Sequence, residues 1–364
     1  MNNKKIAVIG LKGLPAFGGA AAVGENLINQ LKARYDFTVY SVNSHTDKVT
    51  NNISGYRQIV FNKTSGNSIN TFVYYLKTLF HVMFVAKYDL IFLHHSESGF
   101  ITPILKMKYK VILTIHGVFH NKTDPKFNKI SNFLFRRFEK LNMKYADVII
   151  SVSQQDALSS KKKYKRDVVY IPNGINIPKL EPVPLEKSYW LFAASRIYEI
   201  KGLHLLLEAM KTYKFTNRLK VIGDLDQKLD YKKKILTLSQ GLNIDYIDRI
   251  KNKTVLFQII KNSRLFIFPS IYEAMSMMLL EVASLSVPII ASDISANKSI
   301  FGDDEMLFFK SNDPTSLGNK LMFAERNKKL LLQNANNAFT KVTSKYNWKN
   351  ISKNYENIFN SFLV

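Results

Sequence analysis

The chain has 364 residues, 46% of them hydrophobic, and a formal net charge of +24 with no cysteine. That length suits two domains that each bury a core, and the composition excludes a disordered chain. A disulfide scaffold and a thiolate metal site are excluded by the lack of cysteine.

In chain order, the opening MNNKKIAVIG enters an apolar stretch without the hydrophobic region and cleavage site of a secretory signal, so a cytoplasmic protein is expected. Short apolar runs alternate with helical periodicity, the pattern of parallel sheets with crossover helices. In the first half the expected strands are Ile6–Leu11, Phe37–Val42, Gln58–Phe61, Leu90–His94, Val111–His116, Val148–Val152 and Val168–Ile171. The turn signal Ile171-Pro172-Asn173-Gly174 and the linker-like stretch from Pro178 to Pro184 follow. The pattern restarts at Tyr189–Ala194, Leu219–Ile222, Ile244–Tyr246, Leu265–Phe268, Pro288–Ala291 and Met306–Phe309. The expected fold is α/β, two doubly wound Rossmann-like domains over about 1–172 and 173–345.

Two apolar segments of the first half invite a membrane reading. Thr71 to Ala86 is too short to span a bilayer and carries Lys77 and His81, so a buried or half-buried helix is expected. Lys126 to Tyr145 mixes Phe133, Leu134, Phe135 and Phe138 with Arg136, Arg137, Lys140 and Lys144. Such a helix either lies on an anionic membrane or covers a sheet as an ordinary amphipathic helix. Residues 1–172 hold 25 Lys and Arg against 10 Asp and Glu, or +15, while the remaining 192 hold 27 against 18, or +9. The first half is therefore the more strongly drawn to an anionic surface.

Ligands of open α/β sheets bind beyond the carboxyl ends of the strands. The first strand ends in a turn containing Gly10, Gly13, Gly18 and Gly19 before a helix from about Ala21, a place where backbone N–H groups can approach a phosphate. Its spacing is not GxGxxG, which disfavours a nicotinamide cofactor. Arg196 ends a strand, and Lys201-Gly202 opens a helix with an apolar face of Leu203, Leu206, Leu207 and Met210. A lysine in a first helical turn opposes the dipole, and a bound anion between it and Arg196 would remove the conflict. Glu273 falls in the loop after strand LFIF, Ser276 is a natural N-cap, and Glu281 shares a helix face with Met277 and Leu285. A carboxylate on an apolar face needs hydrogen bonds, from ligand hydroxyls or from a backbone N–H. His94, His95 and His116 stand at strand ends, and Asp224-Leu225-Asp226 reads as a loop rather than a metal-binding pair.

Arg196 with Lys201-Gly202, Glu273 with Glu281, the IPNG turn and the glycine loop occur in an order that resembles the family 4 retaining glycosyltransferases of the GT-B fold. The opening GLKGLPAFGGAAAVGENL is similar to a rhamnosyltransferase-like subgroup that makes surface polysaccharides. The resemblance implies two domains facing a cleft, with a last helix, about 346–364, crossing back onto the first. It implies that Glu281 holds the ribose hydroxyls and that Arg196 and Lys201 hold the distal phosphate. It also places Glu273, with the N–H groups of Met275 and Ser276, on the donor sugar, and His116 beside the reacting sugar. Gly18, Gly19 and Arg249 join the donor-binding set. Three positions depart from the family pattern, each standing where glycine is usual: Ala274, Ser286 and Asp248.

The expected activity is retaining transfer of a sugar from a nucleotide-diphosphate donor to a glycan acceptor, lipid-linked, at the inner face of the membrane. No cofactor, metal or nucleic acid is called for. Two alternatives stand beside it: a nucleotide-sugar 2-epimerase of the same fold, and a non-catalytic basic protein that binds membranes or polyanions.

Overall fold

The computed structural model describes residues 3–16, 19–46, 55–63, 67–119, 129–178, 180–181 and 188–363. The chain divides into two compact units, one made of Met1–Asn173 with Trp348–Val364 and the other of Gly174–Asn347.

The first unit is built on a seven-stranded parallel sheet in the order β3-β2-β1-β4-β5-β6-β7. Its strands are β1 (Lys4–Lys12), β2 (Tyr35–Val42), β3 (Arg57–Phe61), β4 (Leu90–His94), β5 (Val111–Ile115), β6 (Val148–Ser151) and β7 (Val169–Tyr170). Helices α1 (Gly19–Leu31), α2 (Asn67–Phe80), α3 (Thr102–Leu105), α4 (Lys129–Tyr145) and α5 (Gln154–Tyr164) connect them. Strands covered on both faces read as unbroken apolar runs, and β4 and β5 are buried at every residue.

The second unit repeats the plan with six parallel strands in the order β10-β9-β8-β11-β12-β13. They are β8 (Trp190–Arg196), β9 (Leu219–Asp224), β10 (Ile244–Ile247), β11 (Leu265–Phe268), β12 (Ile289–Ser292) and β13 (Leu307–Phe309). The helices are α6 (Leu203–Thr212), α7 (Leu229–Ser239), α8 (Lys253–Asn262), α9 (Met277–Ala283), α10 (Ser295–Lys298), α11 (Pro314–Arg326) and α12 (Lys328–Lys345). Leu203, Leu206, Leu207 and Met210 of α6 enter one core cluster with Trp190, Phe192, Val221 and Ile267. The doubly wound α/β expectation holds for both sheets, and every strand read from the sequence is present.

The last helix, α13 (Trp348–Leu363), packs on the first unit. The Phe359 ring stands 5.2 Å from Phe92 of β4 and 5.8 Å from Tyr35 of β2. Glu356 pairs with Arg34, and Tyr35 Oη donates to Asn360 Oδ1 at 2.6 Å. The opposite face of that sheet packs against α2 and the segments near it, with Tyr74, Tyr75, Val82, Ile101 and Leu105 in one cluster with Ala7, Ile9 and Ile91.

The 71–86 segment is half-buried, one of the two arrangements expected of it. It is α2 followed by a π-helical turn, His81–Val85. Tyr74, Tyr75, Thr78 and Val82 are buried, but Phe72, Leu76, Phe80 and Phe84 are exposed. Both flanks of this helix are apolar, and the sheet can cover only one.

Candidate functional site

In each sheet the strand order reverses once, between β1 and β4 in the first unit and between β8 and β11 in the second. Such a switch point opens a crevice at the carboxyl ends of the strands. Of the residues singled out from the sequence, Lys201 and Glu273 meet at the second of these places, and Gly10 meets His94 at the first.

In the second unit Arg196 ends β8 and its side chain is exposed. The chain then makes a 3-10 turn, Glu199–Lys201, before α6. Lys201 is therefore not in the first turn of α6, as the sequence suggested, but ahead of it. Gly202 between them adopts φ +71°, and a Cβ there would lie 2.0 Å from the Pro269 carbonyl oxygen. Only glycine combines that backbone with that approach. The contact holds the turn after β8 against the start of the loop after β11, and Ile271 N–H donates to the Ile200 carbonyl at 2.8 Å across the same seam.

That seam brings Lys201 and Glu273 together: Nζ lies 2.6 Å from Oε1, with side chains only 22% and 12% exposed. Desolvation, the largest influence on Lys201, acts to lower its pKa; the Glu273 carboxylate outweighs it and holds the ammonium above its usual value. The conflict seen in the sequence, a cation near a helix start, is thus met by a carboxylate of the protein. An ammonium has three donors, and this pair engages one. The loop then reaches Met275 and Ser276, both buried, and Ser276 caps α9 by accepting from Leu279 N–H at 3.4 Å.

Glu281 is buried in α9, as its apolar neighbours required. Its partner is Lys253 at the start of α8, with Nζ 2.7 Å from Oε1. Neither residue type nor spacing announced Lys253, which lies 28 positions away. Arg249 is half-buried in the connection from β10 to α8. Ser286, where glycine is usual in the resembled family, does adopt a left-handed φ of 53° and bonds Asn336 through Oγ at 2.5 Å.

Asp224, expected in a loop, is the last residue of β9, and Asp226 lies in the turn that follows. Asp224 Oδ1 accepts from Asp226 N–H at 2.9 Å, and Asp226 pairs with Lys232 at 2.5 Å. Among the described residues no cluster of acidic or histidine side chains is arranged to hold a metal ion.

In the first unit, Gly10 at the end of β1 has φ +108°, and a Cβ would fall 2.3 Å from the His94 carbonyl oxygen. Here too a glycine lets the two strands of the switch point close up. The loop beyond it is pinned by Gln58 Oε1, which accepts from Leu14 N–H at 3.0 Å, and by Glu25 Oε2, which accepts from Ala16 N–H at 3.1 Å. Gly19 opens α1, with open space where a side chain would be. Gly18 lies outside the described residues.

His116 follows β5, and the structure joins it to His94, for which the sequence offered no motif. His94 Nδ1 lies 3.1 Å from His116 Nε2, and the rings are nearly coplanar in orientation, at 10°. The His95 ring stands 5.1 Å from His116 on a backbone with φ 69°. Desolvation, reinforced by the neighbouring imidazoles, pushes both His94 and His116 well below the usual histidine range. Both are neutral at physiological pH. The turn after His116 is held by Glu139 of α4, fully buried, whose carboxylate accepts from Phe119 N–H at 2.6 Å and from Tyr164 Oη at 2.8 Å.

With this geometry in view, comparisons with known proteins agree. Residues 178–341 match the family model described as Glycosyl transferases group 1, and residues 17–178 match that described as Glycosyltransferase Family 4. An uncharacterized 41.2 kDa protein in the cps region of Klebsiella pneumoniae is 30% identical, over 68% of this chain and 72% of that one. The UDP-Gal:alpha-D-GlcNAc-diphosphoundecaprenol alpha-1,3-galactosyltransferase of Escherichia coli is 24% identical, over 72% of each. Among solved structures, sucrose-phosphate synthase from Thermosynechococcus elongatus superposes with a TM-score of 0.84 over 99% of both chains at 18% identity, a likeness of fold.

Proposed function

The chain belongs to the group 1 glycosyltransferases of family 4, with the GT-B fold, and from that premise we propose that it moves a sugar from a nucleotide-diphosphate donor to a glycan hydroxyl with retention of configuration. The observation that carries the donor assignment is the seam at the β8/β11 switch point. It holds the half-buried Lys201–Glu273 pair against a glycine turn.

Departure of the nucleotide diphosphate builds negative charge on the distal phosphate. Arg196 and the remaining Lys201 donors stabilise it electrostatically, without a metal. Glu273, held in place by Lys201, accepts from hydroxyls of the donor sugar, and the N–H groups of Met275 and Ser276 complete that contact. Glu281 accepts from the ribose hydroxyls, with Lys253 balancing its charge, and Arg249 lies toward the base. In the first unit Gly18 and Gly19 provide a further approach to the phosphates. His116, neutral and fixed by His94, donates to the reacting sugar. The acceptor hydroxyl attacks from the face the diphosphate leaves, and the phosphate oxygen takes its proton. No side chain is then needed as nucleophile, and no cofactor takes part.

We further propose surface-polysaccharide synthesis on a lipid-linked acceptor, with the enzyme cytoplasmic and peripheral on the inner face of the membrane. The galactosyltransferase relative, named for a diphosphoundecaprenol acceptor, supports this reading. Among the described residues no helix is long and apolar enough to cross a membrane. The test is incubation with individual nucleotide sugars and a prenyl-diphosphate-linked saccharide, followed by NMR of the product's anomeric proton. A product of inverted configuration, or donor consumed with no transfer to acceptor, contradicts the proposal.

A further inference from the structure

We propose that the outward face of α2, α3 and α4 in the first unit is a docking surface for an anionic lipid bilayer. This deepens the membrane association proposed above and rests on it. It names the face, and that face is wider than the Phe- and Arg-rich helix noticed in the sequence.

The first observation is that α4 is turned the wrong way for a helix that only covers a sheet. Its buried positions are Asn132, Glu139, Asn142 and Met143, while Ile130, Phe133 and Leu134 are exposed. The inward polar groups make bonds that fix this orientation. Asn142 Nδ2 donates to the Ser96 carbonyl at 3.0 Å, its Oδ1 accepts from Thr102 Oγ1 at 2.6 Å, and Glu139 holds the turn after His116. Turning α4 to bury Ile130, Phe133 and Leu134 would leave two polar side chains, Glu139 and Asn142, without these partners.

The second observation is that α2 continues the same face. Phe72, Leu76, Phe80 and Phe84 recur every fourth residue along α2 and the π-helical turn, and all are exposed. The segments adjoin: the Phe100 ring lies 4.9 Å from Phe72 and 5.1 Å from Phe138 of α4. At the other end Lys108 Nζ donates to the Met83 carbonyl at 2.7 Å, beside Met107. Among the described residues the most exposed large apolar side chains are Met107 at 82%, Phe84 at 76% and Ile130 at 72%.

Charge decides what covers this face. Lys129, Arg136, Arg137, Lys140 and Lys144 are exposed on α4, and the Arg137 guanidinium lies 5.1 Å over the Phe133 ring. Across α2, the π-helical turn, α3 and α4 the sequence holds one carboxylate, Glu139, and it is buried. A second copy of the chain would set these cations against their own kind. An anionic bilayer instead takes the protruding apolar side chains at the acyl boundary and the cations at its headgroups.

The test is flotation with vesicles of phosphatidylcholine alone and of phosphatidylcholine mixed with phosphatidylglycerol. Wild type should float with the mixed vesicles and not with phosphatidylcholine alone. Phe80→Ser with Phe84→Ser should lower partitioning about tenfold or more at both low and high salt. Arg136→Gln with Arg137→Gln should lower it about tenfold, at low salt only. All four positions are solvent-facing and only Arg136 makes a backbone bond, to the Phe119 carbonyl at 3.3 Å, so the melting temperature should change little. Leu229→Ser, on the exposed surface of the other unit, should bind like wild type. Undiminished flotation of the Phe80/Phe84 variant overturns the face while leaving membrane association standing; a wild type that floats with neither vesicle sinks both. A dimer dispersed by Phe84→Ser would show that a second copy covers the face, and would also overturn the proposal.

Discussion

At the switch point of the second unit, full charges are paired: Lys201 with Glu273 at 2.6 Å, and nearby Lys253 with Glu281 at 2.7 Å. At the switch point of the first unit the polar side chains are imidazoles, His94 and His116 at 3.1 Å, which burial keeps uncharged. Both edges use a glycine to bring neighbouring chain segments within van der Waals range, Gly202 against Pro269 and Gly10 against His94. The same scaffold device thus supports two chemistries. One edge carries cations suited to a diphosphate, and the other offers hydrogen bonds without adding charge.

The largest effect should come from breaking the charged edge. Lys201→Ala should lower turnover by about 10²–10³. It should also lower the melting temperature, because the nearly buried Glu273 loses its partner. Lys201→Met combined with Glu273→Gln should recover the melting temperature but not the turnover. Recovery of both would show that the pair is structural only.

The neutral edge gives a smaller effect, and one that depends on which nitrogen carries the proton. His94 Nε2 is buried with no partner among the described residues. A buried N–H left unmade is the rarer arrangement, so the proton belongs on Nδ1, donating to His116 Nε2. His116 then carries its own proton on Nδ1. Long-range nitrogen–proton correlation spectra of the imidazoles distinguish the two tautomers directly. His94→Leu should lower turnover about tenfold, less than the roughly 10²–10⁴ of a positioned proton donor itself because His94 acts through His116, and His94→Asn, whose amide can donate in the same place, should restore most of it. Equal loss in both variants would leave His94 a packing residue.

Acidification separates the edges further. His94 and His116 resist protonation in the folded chain, whereas in the unfolded chain they titrate near the ordinary value of about 6.5. Above that pH they contribute no pH dependence. Below it the unfolded state gains protons that the folded state refuses, so stability falls by up to about 1.4 kcal/mol per pH unit for each histidine. The share of that slope owed to these two histidines should be halved in His94→Asn. The smallest expected effect is that of Asp226→Asn or a chelator on turnover, none in either case, since Asp224 and Asp226 bond each other and Lys232. Loss of activity on chelation would return a metal to the mechanism.

The sheets were legible because parallel strands buried on both faces leave unbroken apolar runs between turn signals. The candidate donor residues could be singled out because ligands of open α/β sheets sit beyond the strand ends, where Arg196, Lys201 and Glu273 fall. What escaped were partnerships across sequence distance. Lys253 looks like any surface lysine until α8 brings it to Glu281. Glu139 sits among phenylalanines and arginines, and nothing local shows that it faces inward to hold the turn after His116. His94 had no assigned role because the His94–His116 contact exists only once β4 and β5 pair in register. The outward stripe of α2 was hidden by ambiguity, since Tyr74, Tyr75 and Val82 on one flank and Phe72, Phe80 and Phe84 on the other give two apolar faces to choose between.

The central claim is that the second unit holds a nucleoside diphosphate at the β8/β11 switch point. Thermal-shift titration of the purified chain against UDP, GDP, dTDP, ADP and CMP tests it most directly, with Glu281→Ala alongside. The account predicts a selective rise for one diphosphate, corresponding to about 2.7 kcal/mol at a hundredfold excess over Kd, and its loss in Glu281→Ala. A cooperatively melting wild-type protein that responds to no nucleotide would contradict it.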